Sequence, residues 1–213
     1  MSIAEHAHPA EGSVTHAPPL SRRLALDLLV AVPLISVVLP GCQPTPFHSI
    51  DVTGASWGQN FLLRDPRGRE RTMADFRGKA VLIFFGFTQC PDVCPTALAR
   101  ATDVLRMLED DGSRIQVIFI TVDPERDSPA LLSAYTQAFH PSFLGLYGTL
   151  DQTAALATEF RVVYRKVPTG SSYTMDHTAV SYAFDPRGRL RLAISHADSA
   201  LQVANDLATL LKG

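Results

Sequence analysis

The sequence has few cysteines, little net charge and no apolar run as long as an ordinary membrane span. Three cysteines in 213 residues exclude a disulfide scaffold, which needs at least two bridges. A formal net charge of −2, without a long run of like charge, argues against a nucleic-acid partner. The hydrophobic fraction of 46% is enough for a packed core, and the length allows one domain with an appendage.

The N-terminal part has the composition of a targeting signal and a membrane anchor. Residues 1–20 are polar and without periodicity, so we expect a disordered tail. Two arginines at 22–23 then precede an apolar stretch at 24–39, and small residues lead to Cys42. This order is that of a secretory signal, and its end resembles a bacterial lipobox. The pattern predicts cleavage before Cys42 and lipidation of its sulfur.

An uncleaved transmembrane anchor is the alternative, although the apolar stretch is shorter than the roughly 20 residues that such a helix needs. Asp27 and Pro33 within it weaken that alternative. Either anchor places the rest of the chain on the extracytoplasmic (periplasmic) face of a bacterial membrane, because the arginines stay in the cytoplasm. We therefore divide the chain into a tail with a signal, lipobox or anchor (1–41), a linker (42–56) and a folded domain (57–213).

Strand and helix signals alternate through the folded domain. The turn residues 65–68 lie between two short apolar segments and predict an N-terminal hairpin. The uninterrupted apolar run at 80–87 is typical of a strand buried on both faces. Further strands are predicted at 115–122, 143–147, 162–167, 178–184 and 190–194, and helices at 98–112, from Ser128-Pro129 onward, at 151–160 and at 199–211. This alternation predicts a single α/β domain.

The most informative pair of residues is Cys90 and Cys94, directly after the apolar run at 80–87. Pro91 and Pro95 disfavour helix at the residues before them, so we predict a rigid loop at the end of the sheet, where α/β proteins bind their ligands. A helix that begins there would lower the pKa of a nearby thiol. Two thiolates this close can share a soft metal ion or oxidise to a disulfide, and a purely structural pair is the third alternative.

The segment from Lys79 to Pro95 reads KAVLIFFGFTQCPDVCP and resembles the signature of the Sco/SenC family. The segments at 121–127 (TVDPERD), 176–179 (DHTA) and 185–188 (DPRG) extend the resemblance in the same order. It covers the chain from about Trp57 to the C-terminus and is far more specific than two cysteines at this spacing.

The resemblance implies a thioredoxin-like α/β fold, with a central mixed sheet flanked by helices and an extra N-terminal hairpin. It implies membrane anchorage and copper binding by Cys90, Cys94 and His177. It further implies a role in assembling the dinuclear copper (CuA) site of cytochrome c oxidase subunit II, with an upstream copper donor. Soft thiolates select Cu(I), and imidazole suits Cu(I) and Cu(II). Asp123 and Asp176 are candidates for hydrogen bonds that orient the ligands.

Two functions use the same residues. One is a metallochaperone, a binding protein that delivers copper to subunit II or another acceptor. The other is an enzyme, a thiol–disulfide oxidoreductase in which Cys90 and Cys94 reduce the cysteines of the CuA site. A sensor that relays a copper or redox signal stays open, whereas no peroxidatic motif supports a peroxidase. Copper retention needs His177 and thiol exchange does not, so His177 distinguishes the first two functions.

Overall fold

A computed structural model describes residues 47–213. The predicted tail, the apolar stretch and Cys42 lie outside these described residues. The elements, in chain order, are β1 (Ile50–Asp51), β2 (Leu63–Arg64), β3 (Glu70–Arg71), β4 (Ala80–Gly86), α1 (Val93–Met107), β5 (Ile115–Thr121), α2 (Pro129–Phe139), β6 (Leu144–Leu146), α3 (Leu150–Glu159), β7 (Tyr164–Thr169), β8 (Ser172–His177), β9 (Val180–Phe184), β10 (Leu190–Ser195) and α4 (Ala200–Lys212). Short 3₁₀ helices cover Met73–Phe76 and Glu109–Arg114.

Six strands form a mixed sheet in the order β1-β10-β9-β4-β5-β6. β4 pairs in parallel with β5, and β5 with β6, while β9 runs antiparallel to β4. All seven residues of β4 are buried, as expected for a strand covered on both faces. Phe84 packs with Phe119 on one face of the sheet, and Phe85 packs with Phe160 on the other. The sheet therefore holds the carboxyl end of β4 rigidly, and with it the residues that follow this strand.

The predicted α/β architecture, with a mixed sheet, flanking helices and an extra N-terminal hairpin, is confirmed. β2 and β3 form that hairpin, and helix α2 begins as its sequence indicates, with Ser128 as N-cap and Pro129 in the first turn. Ile50–Asp51, which the sequence analysis placed in the linker, pair with β10 as an edge strand. No helix among residues 47–213 is both long and apolar enough to cross a membrane.

Two features of local structure differ from the sequence-based expectations. The segment 172–177, to which no strand or helix was assigned, is strand β8, which pairs with β7 in a separate two-stranded hairpin. Its sequence, SYTMDH, lacks the apolar alternation that marks a strand, and its pairing with β7 supplies the order instead. The prediction that Cys94 lies in a loop is wrong, because Cys94 lies in the first turn of α1. The proline after it is tolerated there because first-turn amides need no partner within the helix.

Candidate metal centre

Cys90, Cys94 and His177 come together at the carboxyl end of β4. Their sulfur and imidazole nitrogen atoms all lie within 4.8 Å of one another. Cys94 Sγ is 3.5 Å from His177 Nε2, although 83 positions separate the two residues along the chain. Within the described part of the chain, this is the one cluster of three or more His, Cys, Asp or Glu residues that could hold a metal ion.

The two cysteines have different surroundings. Cys94 is fully buried, whereas Cys90 is partly exposed in the bend before α1. The backbone amide of Cys94 donates a 3.4 Å hydrogen bond to Cys90 Sγ, while the N-cap residue Asp92 makes no side-chain cap. The sulfur of Cys90 thus lies at the N-terminus of α1, where the helix dipole and free amides favour a negative charge.

This arrangement separates the pKa values of the two thiols. The Cys94 thiol donates to Cys90, and with the amides of Asp92 and Cys94 it lowers the pKa of Cys90 to about 4, against the opposing effect of burial. The same interaction with Cys90, together with burial, raises the pKa of Cys94. The reduced pair therefore holds one thiolate, on Cys90, and one thiol, on Cys94, near neutral pH.

His177 is the last residue of β8 and reaches the cysteines from the β7–β8 hairpin. Its Nδ1 lies 3.1 Å from the carbonyl oxygen of Thr178, which can only accept, so Nδ1 carries the proton and Nε2 presents its lone pair to the cysteines. The rings of Phe84 and Phe87 meet the imidazole edge-on, each at 5.9 Å. The tautomer and the ring orientation are therefore those that a metal-binding histidine requires.

Gly86 is a part of the site that the sequence analysis missed. A Cβ atom at this position would lie 2.6 Å from Cys94 Sγ and 2.8 Å from the ring of Phe119. Such distances are far below van der Waals contact, so only glycine lets the buried sulfur approach the strand this closely. A glycine within an otherwise apolar strand is the signal that could have identified it.

The predicted orienting residues Asp123 and Asp176 lie near the centre, but their carboxylates bind other partners. Asp123 is buried, and it accepts hydrogen bonds from Arg126 and from the hydroxyl of Tyr173, at 2.9 Å from the latter. Asp176 points to the opposite side of β8 from His177 and pairs with Arg165 at 2.7 Å. Among residues 47–213 neither carboxylate bonds to a cysteine or to His177, so Asp123 acts on the centre through the hairpin.

The loop after β5 holds both halves of the centre in place. Arg126 donates to the backbone oxygen of Tyr173 at 2.7 Å, and its guanidinium lies 3.7 Å from the centre of that ring. On the other side of the loop, the buried carboxylate of Asp127 accepts from the amide and the hydroxyl of Thr88, two positions before Cys90. Burial raises the pKa of Asp127. The loop thus fixes the cysteine bend and the histidine hairpin relative to each other.

The atoms present fit a soft metal ion. Ligands about 2.3 Å from one ion lie up to about 4.6 Å apart, so separations within 4.8 Å need only small shifts of the side chains. Two sulfurs and one imidazole nitrogen suit Cu(I). Met175, two positions before His177 on β8, is buried in the core, as expected of a packing residue.

Comparison with known proteins supports the resemblance seen in the sequence. The family model described as SCO1/SenC matches residues 51–212. The mitochondrial SCO2 homolog of Bos taurus is 43% identical over 158 residues, which are 72% of this chain and 59% of that protein. The mitochondrial SCO1 protein of Saccharomyces cerevisiae is 41% identical over 138 residues, 63% of this chain and 47% of its own. The chain thus spans about half to three-fifths of the length of these relatives.

Solved structures agree with the fold. The structure of Bradyrhizobium japonicum ScoI with copper bound is 42% identical and covers 73% of this chain and 99% of its own, with a TM-score of 0.67. The crystal structure of yeast Sco1 with copper bound is 36% identical and covers 75% of this chain and 90% of its own, also with a TM-score of 0.67. The predicted thioredoxin-like fold is confirmed by this likeness and by the mixed sheet.

Proposed function

Because the chain belongs to the SCO1/SenC family, we propose that it binds Cu(I) through Cys90, Cys94 and His177 and delivers it during assembly of cytochrome c oxidase. The acceptor in this proposal is the CuA site of subunit II. The observation that carries the proposal is the convergence of three soft or borderline ligand atoms within 4.8 Å of one another. Relatives that are 42% and 36% identical have structures with copper bound, which supports the choice of metal.

A site with three ligands suits a metal ion that the protein carries and passes on. Two thiolates and one imidazole hold Cu(I), whereas a structural zinc site normally needs a fourth ligand. Cys94 is buried, but Cys90 and His177 are partly exposed, so an acceptor thiolate can approach the ion from their side before the ion leaves. During transfer the ion would then be bound by ligands of both proteins and would not be released as free copper.

The place of action remains the one that the N-terminal sequence predicts. We propose the periplasmic face of a bacterial membrane, with attachment through lipidated Cys42 or an N-terminal membrane segment. Intact-mass measurement of the membrane-extracted protein distinguishes these. A mass that corresponds to an acylated chain beginning at Cys42 supports the lipoprotein, and a full-length mass supports the uncleaved anchor.

The decisive experiment is an anaerobic Cu(I) titration of the reduced full-length chain against a chelator, in parallel with His177→Ala. Both proteins retain the N-terminal histidines and Cys42, so any copper held there contributes equally to both. We expect one tight equivalent in the wild type and a loss of affinity by orders of magnitude in the variant. Equal affinities would mean that His177 is not a ligand and would contradict copper delivery by this site.

The different pKa values of the two thiols support thiol–disulfide exchange as the second candidate function. In this reaction the Cys90 thiolate attacks an acceptor disulfide, forming a mixed disulfide and releasing one acceptor thiolate. Cys94, after loss of its proton, attacks Cys90 and releases the second thiolate. Two electrons pass to the acceptor, and the chain ends with a Cys90–Cys94 disulfide that a thiol reductant must reduce again.

The two functions respond differently to the same variants. Exchange requires both sulfurs but not the imidazole as a ligand, so His177→Ala should retain most of the rate of disulfide reduction while losing copper affinity. Cys94→Ser should stop at the mixed disulfide, which mass spectrometry can detect. If reduction of an oxidised CuA-site peptide is no faster than with free dithiothreitol at equal concentration, the oxidoreductase candidate is wrong.

A further inference from the structure

A cationic cavity lies at the end of the sheet opposite the metal centre. It has a volume of about 460 Å³ and is lined by the starts of β5 and β6, the β2–β3 hairpin and the segment before β4. Lys79, which directly precedes β4, and Gln116, the second residue of β5, line the cavity, whereas the cysteines follow the other end of β4. Seven strand residues at about 3.3 Å each separate the two ends by about 20 Å.

Basic side chains outnumber acidic ones in this cavity. Its cationic members are Arg67, Arg69, Arg71, Arg77 and Lys79, and its acidic members are Asp65 and Asp75. The chain as a whole carries a slight negative charge, so this lining differs from the average surface. A concave site lined with one sign of charge concentrates ions of the opposite sign.

Both carboxylates in the cavity already accept hydrogen bonds from neighbouring residues of the chain. Asp65 is 1% exposed, and it accepts from the amides of Arg67 and Arg69 and from the guanidinium groups of Arg69 and Arg71. Asp75 caps its own short helix by accepting from the amide and the hydroxyl of Thr72. Arg69 and Arg71 are thereby held with defined orientation, and Asp65 has no remaining capacity to neutralise a third cation.

Three cations in the cavity lack a carboxylate partner. All three are exposed, namely Arg67, Arg77 and Lys79. None of them takes part in an ion pair within residues 47–213. Guanidinium groups bind phosphoryl oxygens in a bidentate manner, and an ammonium adds a point charge. The free side chains and the oriented arginines therefore surround a space with the donors that a phosphate group needs.

We propose that this cavity binds an anion that carries phosphoryl groups, such as a diphosphate or the phosphodiester of an anionic headgroup. Arg67, Arg77 and Lys79 provide the unneutralised charge. Arg69 and Arg71, fixed by Asp65, provide oriented donors. The site is independent of the copper centre, because the length of β4 separates them. The fold places it so that copper and the anion can be bound at the same time.

Calorimetric titration of the full-length chain in neutral detergent micelles tests the proposal. One arm uses inorganic pyrophosphate, and a second uses micelles that contain phosphatidylglycerol or, for comparison, phosphatidylcholine. We expect saturable binding that weakens by about tenfold for each cation removed in Arg77→Gln and Lys79→Gln. Arg165→Gln, which removes an exposed arginine in the β7–β8 hairpin, outside the cavity lining, is the matched control and should bind as the wild type does.

The two arms distinguish the sources of the phosphoryl group. Binding of pyrophosphate alone indicates a soluble ligand, and binding of phosphatidylglycerol micelles but not phosphatidylcholine micelles indicates a lipid headgroup. Affinity for Cu(I) should be unchanged in the double variant, which also confirms that the variant is folded. No binding in either arm, or equal binding by the double variant and the wild type, would overturn the proposal.

Discussion

The hydroxyl of Tyr173 donates a 2.9 Å hydrogen bond to the buried carboxylate of Asp123. This contact joins the loop after β5 to strand β8, four positions before His177. It is reinforced by Arg126, which binds the same carboxylate and the backbone oxygen of Tyr173. The position of His177 is therefore set by residues that do not themselves contact Cys90 or Cys94.

Tyr173→Phe should weaken copper binding without unfolding the domain. A hydrogen bond to a charged group contributes about 1.5–3 kcal/mol. Its removal should make the β7–β8 hairpin, which carries His177, more mobile. We expect Cu(I) affinity to fall about three- to tenfold in an anaerobic competition titration. Tyr164→Phe is the control, because Tyr164 pairs with His177 across the hairpin yet its hydroxyl has no hydrogen bond within residues 47–213. Equal effects of both variants would contradict the role of Asp123.

Gly86→Ala should displace Cys94, since the added Cβ would lie 2.6 Å from its sulfur. We expect a loss of Cu(I) affinity of at least tenfold, together with a lower free energy of unfolding from overpacking of about 1–3 kcal/mol. Gly145→Ala in β6 is the matched control, because its Cβ would lie 2.4 Å from the side chain of Leu132 in α2, away from the cysteines. That variant should be destabilised to a similar extent and keep its copper affinity.

Cys90 should react as a thiolate over an unusually wide range of pH. Its pKa is lowered to about 4, from an ordinary value near 8.5. The rate of alkylation of Cys90 in the reduced protein should therefore stay nearly constant from about pH 6 to 8 and fall as the pH drops through about 4. Mass spectrometry of the labelled peptide distinguishes Cys90 from buried Cys94, which should label slowly. A rate that rises tenfold per pH unit up to pH 8 would contradict the lowered pKa.

The same shift predicts how stability changes with pH. Because the folded state holds Cys90 as a thiolate more readily than the unfolded chain does, its contribution to stability is present at alkaline pH and is lost as the pH falls toward about 4. The raised pKa of Cys94 acts in the opposite sense above the ordinary thiol pKa. The difference in unfolding free energy between the reduced wild type and Cys90→Ser should therefore grow from pH 4 to about pH 8.

The buried carboxylate of Asp185 should be important for folding. Burial opposes the ionisation of this carboxyl, but hydrogen bonds from Arg189 and from two backbone amides lower its pKa. Asp185→Asn removes the charge that two backbone amides and Arg189 bind, and should cost about 1.5–3 kcal/mol in a denaturant titration. Asp176→Asn removes an exposed pair with Arg165 and should cost less than about 1 kcal/mol. A smaller loss at Asp185 than at Asp176 would contradict this account.

The elements that carry the cysteines could be predicted because their signals are local. The apolar run that forms β4, the cysteine pair directly after it and the cap at Ser128 each lie within a few consecutive residues. The boundary at Cys94 could not be predicted, because two prolines argue for a loop while a first helical turn accepts them equally well. The family resemblance identified His177, although no local pattern around it indicates a ligand.

The roles of Asp123 and Asp176 depended on tertiary structure. Both lie in motifs that pointed to the metal centre, yet alternation along β8 turns Asp176 to the opposite side from His177, where it meets Arg165. That alternation could not be applied in advance because the polar segment 172–177 gives no strand signal. The partner of Asp123, Tyr173, lies 50 positions away and belongs to a segment that only pairing with β7 makes a strand.

The sequence by itself determined the kind of chemistry. Two cysteines after a buried strand, together with a family signature, specify soft-metal or thiol chemistry without any knowledge of the tertiary structure. Tertiary structure alone decided the geometry. It brought Nε2 of His177 to 3.5 Å from Cys94 across 83 positions. It also lowered the pKa of the Cys90 thiol and raised that of the Cys94 thiol. Those properties depend on distance, burial and the direction of a helix dipole, which are set by packing between segments that are remote in the sequence.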